Sequence, residues 1–84
     1  MIELIFSDGE NIIKIRILEK NVLFSHAFMN DNFMDIRKLP VPESGREKFK
    51  NLLENISKAD SEHETANLLV LDFQNDGYKL IKNG

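Results

Sequence analysis

Apolar residues along this chain recur at two different periods, and the change of period divides it. Ile2 to Phe6 is apolar, Ser7-Asp8-Gly9-Glu10-Asn11 is turn-rich, and Ile13 to Ile17 reads I-K-I-R-I. Alternation of this kind marks a half-buried strand, and Asp-Gly between two such runs predicts a two-residue hairpin turn. That register sets Glu3 opposite Lys14, Leu4 opposite Ile13 and Ile2 opposite Ile15, charge against charge and aliphatic against aliphatic. A two-residue loop at Lys20-Asn21 then sets Ile17 opposite Phe24, Ile15 opposite His26 and Ile13 opposite Phe28, which puts His26 on the apolar face. Met34 and Ile36 keep that face only across an odd number of loop residues, so Asn30-Asp31-Asn32 is assigned to the loop. Pro40 and Pro42 end the fourth strand by Leu39, because proline cannot donate to a sheet ladder.

Beyond the prolines the period lengthens to that of a helix. Ser44 and Glu47 have capping-box spacing, and Phe49, Leu52, Leu53, Ile56 and Ala59 follow as one apolar stripe. This helix is expected to lie on the apolar face of the strands. Asp-Ser-Glu-His-Glu-Thr reads as a polar connection with room for one helical turn capped by Ser61 and Glu64. The runs NLLVLDF and YKLIK flank Gln74-Asn75-Asp76-Gly77 and predict a second hairpin, with Phe73 opposite Tyr78, Asp72 opposite Lys79 and Leu71 opposite Leu80. The expected fold is α+β: a four-stranded antiparallel meander, one amphipathic helix packed on its apolar face, then a C-terminal β-hairpin.

Composition narrows what such a fold can do. The 84 residues, 42% hydrophobic and 30% charged, suit a single domain over residues 1–84. A net charge of −3 gives no overall field to hold a polyanion. Cysteine is absent, so disulfides, thiolate metal sites and cysteine nucleophiles are excluded. MIELIFSDGE has no charged leader and too short an apolar run for a signal or a membrane span, so a cytoplasmic location is expected. Heavy use of Asn, Ile and Lys points to an AT-rich coding genome, a bacterium or one of its mobile elements.

Candidate chemistry is sparse. His26 could act as base or ligand, yet its expected neighbours are Ile15, Phe24, Phe28 and Ile36, and Asp31 falls in the next turn, roughly 15 Å of strand away. The pair is read as a strand residue and a turn residue. Asn30, Asp31, Asn32 and Asp35 lack the spacing, glycine and terminal glutamate of a calcium loop. Asp60 to Glu64 offers one histidine among carboxylates, too few nitrogen ligands for a zinc site. The four glycines stand apart, so no phosphate loop forms. Neither enzymatic activity nor a cofactor or metal is expected. The outward face of the meander holds Lys14, Arg16 and Arg37, with Met29 and Phe33 at its turn end. Those five residues are the candidate partner-binding surface of a small regulatory or protein-binding module, with a homodimer through an open sheet edge as one form of association. Two alternatives use the same signals: single-stranded nucleic-acid binding by Lys14, Arg16 and Arg37, and an inhibitor or immunity-type protein of a mobile element.

Overall fold

The computed structural model describes residues 1–26 and 32–84. Five strands form one antiparallel sheet, β1 (Ile2–Ser7), β2 (Ile12–Leu18), β3 (Asn21–His26), β4 (Met34–Asp35) and β5 (Lys79–Asn83), in the order β4-β3-β2-β1-β5. Two helices, α1 (Arg46–Lys58) and α2 (Glu62–Asn75), stand between β4 and β5 in sequence. The α+β class is as expected, with five strands and two helices in place of six and one.

The alternation in β1 and β2 holds residue for residue: Ile2, Leu4 and Phe6, and Ile13, Ile15 and Ile17, are all buried. Both registers differ by two residues from the expected ones, pairing Glu3 with Arg16, Leu4 with Ile15, Ile15 with Phe24 and Ile13 with His26. A shift of two preserves the faces, which is why the burial pattern survives it. The cause lies in the turns. Asp8 Oδ1 accepts from the backbone N–H groups of Glu10 (2.9 Å) and Asn11 (2.7 Å), which draws both residues out of the ladder and makes a four-residue loop. At the next turn, the backbone N–H of Glu19 donates to Glu62 Oε2 (2.7 Å) and Lys20 Nζ donates to the Ala59 carbonyl (2.5 Å). Those tertiary bonds centre the turn on Glu19-Lys20 and hold Glu19 at a left-handed φ of 55°, overriding the turn preference of Asn21.

β4 is two residues long, pairing Met34 with Phe24, and passes into a 3-10 turn at Ile36–Lys38 instead of continuing to Leu39. Asp35 stops it, because its carboxylate caps the turn by accepting from the Arg37 backbone N–H. Asn32 lies outside any strand, and Asn30 and Asp31, with Phe28, lie outside the described residues. The expected Ser44–Glu47 capping box does not form either. A 3-10 turn at Glu43–Gly45 takes up that segment, and Gly45 stands at the N-cap of α1 with no side-chain bond.

The main correction concerns NLLVLDF, which is helix and not strand. Ser61 Oγ accepts from the Glu64 backbone N–H (3.1 Å) while Glu64 Oε2 accepts from that of Asp60 (2.9 Å), so the polar connection is in fact the cap of α2. Thr65, Ala66 and Leu69 are its buried stripe. The Asn-Asp-Gly signal ends this helix. With Gly77 at φ 91°, its N–H bonds the Gln74 carbonyl and the Tyr78 N–H bonds the Phe73 carbonyl. These are the two bonds of a Schellman motif. Phe73 and Tyr78 do meet, edge to face at 5.3 Å, across the helix end and not across a hairpin. β5 then pairs with β1, Phe6 opposite Leu80 and Ile5 opposite Lys82, with a bulge between Ile5 and Phe6.

It is α2 that covers β1, β2 and β5, stacking Phe73 on Phe6 at 4.7 Å. α1 packs beside α2 and adds Leu52 and Ile56 to the same core as Ile36 and Val22. Both helices thus cover one side of the sheet.

Candidate functional site

The side of the sheet away from the helices carries the register partners of the polar positions. Glu3 lies between two cations there: Arg16 Nε donates to its Oε2 at 3.0 Å, and Lys82 Nζ to its Oε1 at 3.3 Å. Arg16 comes from β2 and Lys82 from β5, so one carboxylate ties three strands. The Arg16 bond holds the Glu3 carboxyl below the usual carboxylate range, with Lys82 adding to the effect against a smaller upward push from burial. The Arg16 guanidinium also lies over the Phe33 ring, 4.2 Å from its centroid. Lys79, opposite Ser7, is exposed on this face, and Ile5 and Leu23 are half-buried on it.

Lys14 and Arg16 share this face as expected, half-buried and not fully exposed. Ser25, opposite Lys14, is only 2% exposed, whereas Lys79 and Lys82 are exposed, so the β5 side of the face is the more open. Phe33 meets this face through Arg16. Arg37 does not belong to this cluster. It makes a two-point pair with Asp35, Nε to Oδ1 at 3.0 Å and Nη2 to Oδ2 at 2.6 Å, at the β4 edge next to α1. That pair, helped by the Arg37 backbone N–H, holds the Asp35 carboxyl at about 2. Met29 lies outside the described residues. Lys79 and Lys82 escaped the sequence reading because their place on the face follows from β5 pairing with β1, which no local pattern announces.

His26 sits half-buried opposite Ile13 on the helix-covered side, in the row expected for it. Two carboxylates of the Asp60–Glu64 stretch are engaged: Glu62 accepts from the Glu19 backbone N–H and pairs with the N-terminal ammonium at 3.5 Å, while Glu64 accepts from the Asp60 backbone N–H. Among the described residues no group of three or more His, Cys, Asp and Glu is placed to hold a metal ion, and no helix is long and apolar enough to cross a membrane. Comparison of the chain with protein-family models, with curated proteins and with solved structures yields no match.

Proposed function

We propose that this chain is a non-enzymatic protein-binding module that meets its partner on the sheet face opposite the helices. The observation that carries the reading is the fixed charge lattice of Glu3, Arg16 and Lys82 beside Ile5 and Leu23. Side chains held on strands by mutual ion pairs lose little further freedom on binding, and arginine, aromatic and aliphatic groups together are the composition of an interface centre. Two observations favour the face over the sheet edge. The free side of β5 is flanked by Lys79 and Lys82 and is irregular at its bulge, the features that blunt edge pairing. β4, at the other edge, has two residues. Nucleic-acid stacking is the weaker reading, because the Arg16 guanidinium already occupies one face of the Phe33 ring. A cytoplasmic bacterial setting belongs to the same proposal, to which an inhibitor or immunity-type protein of a mobile element is the alternative.

The test is affinity capture from the native host, with Lys79→Glu/Lys82→Glu and Lys14→Glu/Arg16→Gln variants run beside the parent. A protein retained by the parent and lost from both variants, then reproduced with purified components, supports the face. Undiminished capture by both removes it. An electrophoretic shift of single-stranded RNA that weakens steeply with salt would favour the nucleic-acid reading instead.

A further inference from the structure

A second surface lies on the other side of the β4 edge. Residues 39 to 42, Leu-Pro-Val-Pro, run from Leu39 (φ −68°, ψ 134°) to Pro42 (φ −57°, ψ 148°) in an extended, polyproline-like path that proline holds in place. This strap faces α1 across a groove of about 410 Å³. Leu39 and Val41 from the strap, with Phe49 and Leu53 from the helix, give it an apolar lining of half-buried side chains. Arg37 lines it from the strap side, and Arg46 and Lys50 from the helix side. On α1, positions 46, 49, 50 and 53 fall on one stripe, so the two cations and the two apolar residues present together.

Among the described residues no acidic side chain lines this groove, although the chain as a whole carries a net charge of −3. Asp35 is beside it but is engaged by the same Arg37 at two points. Arg46 and Lys50 are exposed, beside the half-buried Leu39, Val41, Phe49 and Leu53. With Arg37 paired to Asp35, the cations that distinguish the ligand chemistry are Arg46 and Lys50, one helical turn apart on the stripe that also carries Phe49 and Leu53. A single-headed amphiphile meets one of them, whereas a chain segment with carboxylates before and after one bulky apolar residue meets both.

We propose that the groove between the Leu39–Pro42 strap and α1 docks an acidic segment of another protein, seating one large apolar side chain between flanking carboxylates. The surface is distinct from the sheet face proposed above. It requires that the chain be a binding module, and not that the sheet face be the place of binding.

The experiment is an amide NMR titration of the whole chain with the synthetic peptide acetyl-Glu-Glu-Phe-Glu-Glu-amide. Saturable shifts confined to residues 37–53 are expected. Replacing the four Glu by Gln, or Phe by Ala, is expected to weaken binding at least about tenfold, as is Arg46→Glu with Lys50→Glu, whose side chains are exposed and leave the core untouched. Lys79→Glu/Lys82→Glu is expected to change affinity by less than about twofold, which separates this site from the sheet face. The proposal is overturned by any of three results: no saturable shift, equal binding of the Gln peptide, or shifts centred on β5. Tighter binding to phosphatidylglycerol vesicles than to the peptide, abolished by the same Arg46 and Lys50 changes, would also overturn it in favour of a lipid surface.

Discussion

Leu69 and Leu71 separate the helical reading of residues 62–75 from the strand reading more cleanly than any other pair. In a strand they share a face and would be lost at similar cost. In α2 they are turned about 200° apart, and the structure makes Leu69 0% and Leu71 60% exposed. Leu69→Ala removes a fully buried side chain between α2 and the sheet, where transfer and cavity terms together come to roughly 3–5 kcal/mol. Leu71→Ala loses mostly solvated surface and gains a little helix propensity, so its effect is expected within about 0.5 kcal/mol. Total stability for a chain of this length is on the order of 4–13 kcal/mol, so Leu69→Ala could leave a large unfolded fraction. Leu69→Met, which conserves volume and is expected to lose less than about 1.5 kcal/mol, keeps the comparison measurable. Urea unfolding followed by far-UV circular dichroism reads all three. Equal losses at 69 and 71 would refute the helix, and no loss at 69 would refute its packing on the sheet.

Three further outcomes follow from the turns and charges. Burial pushes the Asp72 carboxyl above its usual range, with Lys48 at 4.0 Å opposing the effect, and the group stands in the last turn of α2 where the helix dipole disfavours an anion. Asp72→Asn is therefore expected to raise the unfolding free energy at pH 7, read by urea denaturation, by a few tenths to about 1 kcal/mol. Because the folded-state pKa is raised, that gain should vanish once the pH falls below the ordinary carboxylate value; a loss of stability at pH 7 would contradict the burial argument. Glu19, at φ 55°, occupies a conformation that Asn adopts more readily, so Glu19→Asn is expected to stabilise by up to about 1 kcal/mol in the same assay. A destabilised Glu19→Asn would mean that its carboxylate, and not only its backbone N–H, holds the turn. Asp35 titrates at about 2 against an ordinary 3.8, lowered first by its side-chain bonds with Arg37. A depressed folded-state pKa contributes stability that is full above the ordinary value and is lost as pH falls through about 2. The gap in urea midpoint between the parent and Asp35→Asn should accordingly narrow on acidification, and a gap constant with pH would show that the pair contributes no linkage.

Strand alternation was legible in the sequence because burial is written directly into it. I-K-I-R-I needs no knowledge of the partner strand to say which residues face inward, and a register error of two leaves that answer intact. The registers themselves were not legible. They depend on Asp8 accepting two backbone bonds and on Glu19 and Lys20 reaching Glu62 and Ala59, more than thirty-five residues away in sequence. Asn-Asp-Gly misled for a related reason: glycine at positive φ serves a hairpin turn and a helix C-terminus equally well, and only the bonds to the Gln74 and Phe73 carbonyls choose between them. The buried apolar run before it has a length compatible with either element. Ser61 and Glu64 were the local signal of the helix start, with Ser61 Oγ accepting from the Glu64 N–H and Glu64 Oε2 from the Asp60 N–H, but a cap marks where a helix begins and not how far it runs.

The candidate surfaces divide along the same line. Lys14, Arg16 and Phe33 could be grouped from the meander alone, because alternation and one aromatic near a turn suffice to place them. Arg37 was grouped with them by parity along a fourth strand, and that inference fails where β4 gives way to a 3-10 turn after Asp35. Once the strand stops, the side-chain period changes and Arg37 pairs back onto Asp35 beside α1. The charge that the sheet face loses there it regains from Lys79 and Lys82, supplied by a strand that crosses to β1 from the far end of the sequence. Net charge conceals this segregation: a chain of net charge −3 presents two cations around one carboxylate on its sheet face and, on its helical side, a groove whose charged lining among the described residues is cationic. The cations of the sheet face come together only when the two ends of the chain are brought into one sheet, and those of the groove only when the Leu39–Pro42 strap folds back beside α1.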